Sequence, residues 1–82
     1  MSQDELFERV SQIIAETLNV KQDVITRDTM AEDVDGWDSL THTILMVRLQ
    51  RRLNLTVGET IAATATNVGE LCDMIAAVNH IG

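Results

Sequence analysis

Apolar residues recur along this chain in steps of three and four, the period of a helix with one buried face. Leu6, Val10, Ile13, Ile14 and Leu18 form the first such stripe, and Asp4, Glu5, Glu8 and Glu16 fall off it. The pattern predicts an amphipathic helix over roughly residues 3–18, with Asp4 and Glu5 at its positive end. Residues 19–37 hold no sustained period; acids stand at positions 23, 28, 32, 33 and 35, with Val24, Ile25 and Met30 as isolated apolar points. This reads as a long surface loop pinned by those three side chains. A loop of that length is uncommon in a compact domain and is usually functional when ordered.

From Ser39 to Leu53 good helix formers run without a break, and Asp38 stands before them as a natural N-cap with Trp37 in the staple position. At about 100° per residue, Leu45, Met46, Leu49 and Leu53 share one side of this second helix. Leu40, Ile44 and Val47 lie opposite, within about 60° of one another, and Arg51 continues their line. One face suits a core. The other must cover a further element or stay open to a partner. Gly58 marks a break before Glu59–Ala65, which is long enough for a short helix only. Thr66 or Asn67 can cap a last helix striped by Val68, Leu71, Cys72, Ile75 and Val78, ending near Asn79 and Gly82. The expected fold is all-α: a small four-helix bundle of three longer helices and one short helix, with a long loop between helices 1 and 2.

Eighty-two residues suffice for one domain and one core, but are few for an enclosed active site with its scaffold. The chain has no proline and only Phe7 and Trp37 as aromatics, a composition that favours helices. No apolar run reaches the length of a membrane span, and the acidic N-terminus is unlike a secretory signal, so a cytoplasmic protein is expected. Cys72 is the sole cysteine and lies on an apolar stripe, where it reads as a buried structural thiol.

The net charge of -7 is unevenly spread: residues 1–38 hold ten acids and three bases, residues 39–57 three arginines and no acid, residues 58–82 three acids. Such a field repels phosphate backbones, and three arginines on one helix are few for tracking them, so nucleic acid is excluded as a partner. Protein partners are expected instead.

The candidate chemistry lies at Gly36-Trp37-Asp38-Ser39-Leu40, where the acidic loop meets the second helix. A nucleophile elbow needs glycines two residues either side of its serine, but Trp37 and Thr41 occupy those places. A calcium loop with Gly36 as its sixth residue would begin at Ala31 and end at His42, so both terminal ligands are absent. His42 and His80 have no third ligand, and no metal site is expected. His42 points toward the core or Trp37. Met46 and Met74 read as core filling.

Asp38-Ser39-Leu40 at this junction, the preceding Val24-Ile25 and Asp28-Thr29, and the Thr66-Asn67-Val68 start of the last helix together resemble the acyl carrier protein family. That family includes the carrier domains of polyketide and nonribosomal peptide assembly lines. The resemblance covers essentially the whole chain and implies one acyl or peptidyl carrier domain over residues 1–82, with no enzymatic activity of its own. It implies a covalent 4'-phosphopantetheine on Ser39, attached from coenzyme A by a magnesium-dependent phosphopantetheinyl transferase, with Asp38 in support.

The remaining expected partners are an acyl- or aminoacyl-loading ligase and a downstream synthase or transferase, docking on Leu40, Ile44, Val47 and Arg51 of a monomer. In the bacterial fatty acid branch the second helix is strongly acidic, whereas here it presents Thr41, Ile44, Gln50 and Arg51. This departure points away from ordinary fatty acid synthesis to a specialised pathway. The alternative is an unmodified helical interaction module of the same fold.

Overall fold

The computed structural model describes residues 1–81, apart from the side chains of Glu59 and Ala62. Gly82, expected at the end of the last helix, lies outside the described residues. All regular elements are helical: α1 spans Gln3–Leu18, α2 Ser39–Leu53, α3 Glu59–Thr64 and α4 Val68–Val78.

Side chains set the helix starts. Ser2 Oγ accepts the Glu5 amide at 3.1 Å, Asp38 Oδ1 the Thr41 amide at 2.9 Å, and Asn67 Oδ1 the Glu70 amide at 2.7 Å. Of the two cap residues offered for α4, Asn67 is therefore the one used. Asn19 and Asn54 end α1 and α2 in the left-handed conformation, at φ 58° and 53°. Asparagine is among the few residues that enter this region readily.

The core joins the three predicted stripes. Leu6, Val10, Ile14, Leu45, Leu49 and Ile75 are fully enclosed, with Ile13, Met46, Leu53, Val68, Leu71 and Cys72 also buried. Val78 departs from the expectation and is exposed, because α4 turns its Ala76 side inward instead. The short α3 adds Ile61, and the connector before it adds Val57.

The segment between α1 and α2 is more structured than its missing period suggests, with 3₁₀ turns at Gln22–Val24 and Ala31–Asp33. Of its three expected pins only Ile25 is buried; Val24 and Met30 are exposed, and Thr29 takes an inward place. The reason is polar. The Thr29 hydroxyl accepts the Thr26 amide at 2.9 Å, closing a local turn. The loop then reaches α4, where the Val68 and Gly69 amides donate to the carbonyls of Thr29 (2.9 Å) and Arg27 (2.8 Å). Two of the helix's orphan donors are thereby satisfied by the loop backbone. Arg27 pairs with Asp73 at 2.7 Å and lies over the Phe7 ring, 5.9 Å from its centre.

This approach requires Gly69, since a Cβ there would stand 2.9 Å from the Arg27 carbonyl oxygen and 3.0 Å from its Cβ. Alanine is the better helix former, but the clash is with backbone and dominates. Gly69→Ala is expected to destabilise the protein by about 1–3 kcal/mol, read as a lower denaturant midpoint with an unchanged slope.

Candidate functional site

Gly36 turns the chain with a φ of 87°, a conformation suited to glycine. Trp37 follows, its amide donating to the Val34 carbonyl at 3.2 Å. Asp38 is extended at φ -111° and ψ -173°. Ser39 is then the first residue of α2, exposed to solvent, and its carbonyl accepts the Thr43 hydroxyl at 3.1 Å. The predicted relation of Asp38 to Ser39 is thus present: cap first, serine next, on the outer edge of the bundle.

Around this junction Trp37 and His42 form an aromatic pair. Trp37 Nε1 donates to His42 Nδ1 at 3.1 Å, and the rings stack at 27° with centres 6.1 Å apart. An acceptor at Nδ1 places the neutral ring's proton on Nε2. Of the two positions foreseen for His42, the structure selects the one against Trp37. The contact ties the last loop residues to the first turn of α2 and so holds the peptide that carries Ser39.

Asp38 is charged and solvated. Hydrogen bonds from Thr41, its backbone amide foremost, hold the Asp38 carboxyl below its ordinary pKa of 3.8. A depressed folded value means that the stabilisation is complete above the unfolded pKa and is lost as pH falls through the folded one. Acid is therefore expected to loosen the start of α2 below about pH 4. Amide exchange at Thr41 over an acid titration checks this, and Asp38→Asn, which keeps an acceptor without the charge, should flatten the dependence.

Leu40, Ile44 and Val47 are exposed at 71, 43 and 49%, so α3 does not cover them. They form one stripe with the exposed Arg51, leading away from Ser39. α2 contains no acid in its first turn and has Arg51 and Arg52 in its last.

A feature the sequence reading did not identify is an open cleft of about 670 Å³ beside Ser39, lined in part by Trp37, His42, Thr43, Ala63 and Ala65. A second cleft, of about 490 Å³, is also bordered by His42 and Thr43 and is lined by Met46, Val47, Gln50 and Arg51 among others. Small residues near Ala63 were the available signal, but a short helix gives no register from which to aim them.

These surroundings suit a phosphate ester on Ser39. The hydroxyl is accessible, the first-turn amides and positive helix end lie beside it, and an open cleft leads away. Burial pushes the Cys72 thiol up to about 12, so it stays protonated at neutral pH and does not compete as a nucleophile. Among the described residues no cluster of three His, Cys, Asp or Glu side chains could hold a metal, and no helix is long and apolar enough to cross a membrane.

Residues 8–75 match the family model described as the phosphopantetheine attachment site. An acyl carrier protein from Guillardia theta is 29% identical over 75 residues, covering 92% of this chain and 93% of that protein. One from Petrotoga mobilis is 38% identical over 58 residues, or 70% of this chain and 67% of that protein. With a match over most of the helical core and no catalytic constellation required of it, the chain belongs to the acyl carrier protein family, carriers rather than enzymes, which hold their cargo on a covalently attached 4'-phosphopantetheine.

Proposed function

We propose that Ser39 is the attachment residue and that residues 1–82 form a single carrier domain, a monomeric four-helix bundle acting in the cytoplasm. The observation that carries this reading is the exposed Ser39 hydroxyl at the start of α2, with Asp38 capping the same turn and a cleft alongside. Ser39 Oγ supplies the oxygen of the phosphodiester. Asp38 holds the first turn in place, so the hydroxyl is offered outward on rigid backbone. Bound there, the arm supplies a thiol that carries an acyl or aminoacyl group as a thioester. A phosphopantetheinyl transferase, a loading ligase and a downstream synthase or transferase are the partners. Coexpression with a phosphopantetheinyl transferase, followed by intact mass and peptide fragmentation, should place one arm on Ser39. An unmodified product would favour the interaction-module alternative, and an arm mapped to another residue would displace Ser39.

The pathway is a specialised one. Support comes from α2, whose exposed side offers Leu40, Ile44, Val47 and Arg51 where an acidic helix would meet the enzymes of bacterial fatty acid synthesis. An apolar stripe ending in a cation fits a partner with an apolar groove and a carboxylate. Arg51→Glu is expected to slow loading by the cognate ligase about three- to tenfold at low salt, with a smaller difference at moderate salt. Helicity and arm attachment should be unchanged. Equal loading rates at both salt concentrations would remove Arg51 from the docking surface.

A further inference from the structure

We propose that His42 is a positioning residue for arm attachment, acting through Trp37 to set the peptide that offers Ser39 to the transferase. The inference rests on Ser39 being the attachment residue.

The chain enters α2 across a turn with little packed against it. Gly36, Asp38 and Ser39 are exposed, and nothing lies within 4 Å of the place a Cβ would take at Gly36. Glycine suits the φ of 87° there and resists little when that angle changes. The Asp38 cap fixes the helix side only, since its carboxylate accepts the Thr41 amide within the first turn. His42 connects that turn to the loop. Its backbone amide donates to the Asp38 carbonyl at 2.8 Å, and its ring Nδ1 accepts Trp37 Nε1–H at 3.1 Å. Trp37 in turn reaches back over Gly36, its own amide donating to the Val34 carbonyl at 3.2 Å. One residue of α2 therefore grips both residues that precede Ser39.

Trp37 and His42 are half-buried, so their bond is partly screened from water, and the stacked rings keep it aligned. Trp37 also lines the cleft beside Ser39, so fixing the indole fixes one wall of that space. In arm attachment Ser39 Oγ bonds to the phosphorus of coenzyme A that carries the pantetheine. The anhydride P–O bond breaks, an adenosine bisphosphate leaves with its electron pair, and the hydroxyl proton passes to a base of the transferase. Such a displacement needs the attacking oxygen in line with the breaking bond, so a misplaced hydroxyl slows the chemical step without weakening docking. The operative group is the acceptor at Nδ1. Asparagine carries an oxygen at nearly the same place, whereas phenylalanine keeps a ring and lacks the acceptor.

Apo chains with Trp37→Phe, His42→Phe, His42→Asn, and Trp37→Phe combined with His42→Phe are compared in steady-state arm attachment at saturating coenzyme A. Trp37→Phe and His42→Phe should each lower kcat about three- to tenfold, with KM for the chain within about twofold of wild type. The double variant should fall no further than either single one, because both remove one shared bond. His42→Asn should recover most of the loss and return the indole N–H resonance, displaced in His42→Phe, toward its wild-type position. A merely structural role would instead lower the folded fraction, raising the apparent KM and leaving kcat unchanged. That result, an unchanged kcat in Trp37→Phe, or losses that multiply in the double variant overturns the positioning role and leaves the attachment site standing. Should His42→Phe fail to fold, the kcat of Trp37→Phe decides alone. An arm mapped to a residue other than Ser39 overturns both readings.

Discussion

Ser39→Ala is expected to abolish arm attachment outright while leaving the fold intact. On the proposed assignment the Ser39 hydroxyl oxygen is the atom that the phosphodiester requires, and no neighbouring nucleophile among the described residues stands in its place. Thr41 and Thr43 lie farther along α2, and Thr43 already donates its hydroxyl to the Ser39 carbonyl. Cys72 is enclosed and protonated. Because Ser39 is exposed, its removal should move stability by no more than about 0.5 kcal/mol. Intact mass after coexpression with the transferase gives the first readout and a denaturant midpoint the second. A mass increment retained by Ser39→Ala would assign the arm to another residue. A variant that fails to fold would show that the serine has a packing role its exposure does not suggest.

Leu49→Ala is expected to be the most damaging of the single changes considered for stability, at about 2–5 kcal/mol. Leu49 is fully enclosed on the inner side of α2, a helix that packs against α1 and α3, and truncation leaves a cavity in the shared core that the surrounding elements must collapse to fill. Against a total of 5–15 kcal/mol for a typical domain, such a loss is a large fraction. Val78→Ala, at an exposed position on α4, is the matched control and should stay within about 0.5 kcal/mol. Equal midpoints for the two variants would contradict the core as described.

The contrast between Leu49 and Val78 also indicates what a sequence of this kind reveals. Long stripes report reliably where they are anchored on both sides, as in α1 and α2, because each buried position is cross-checked by its neighbours at three and four. Val78 stands at the end of its helix, where the stripe has no further member to correct its direction. The loop was legible only in part, since Thr29 and the Arg27 carbonyl act through backbone hydrogen bonds that leave no hydrophobic pattern. Val24 and Met30 misled for the converse reason: each is apolar yet exposed, Val24 at the end of one 3₁₀ turn and Met30 in the extended residue just before the other. At the site, the Asp38-Ser39 cap was visible because capping is a local matter of adjacent residues. The cleft was not, because Ala63 and Ala65 reach it through the tertiary placement of α3.

The two backbone bonds from the loop to the start of α4 give the chain an unexpected order of dependence. Thr29 and Arg27 precede Ser39 by only a short stretch, and both are fastened to residues near the C-terminal end of the sequence. Opening the first turn of α4 therefore releases the loop that leads to Ser39, although α4 lies remote from Ser39 in sequence. In hydrogen exchange the Val68 and Gly69 amides should open together with the Thr29 amide as one cooperative unit, rather than fraying singly as first-turn amides do. A protease or a truncation acting on α4 would then disturb Ser39 at a distance, by letting the loop that leads to it go slack before the serine itself is touched.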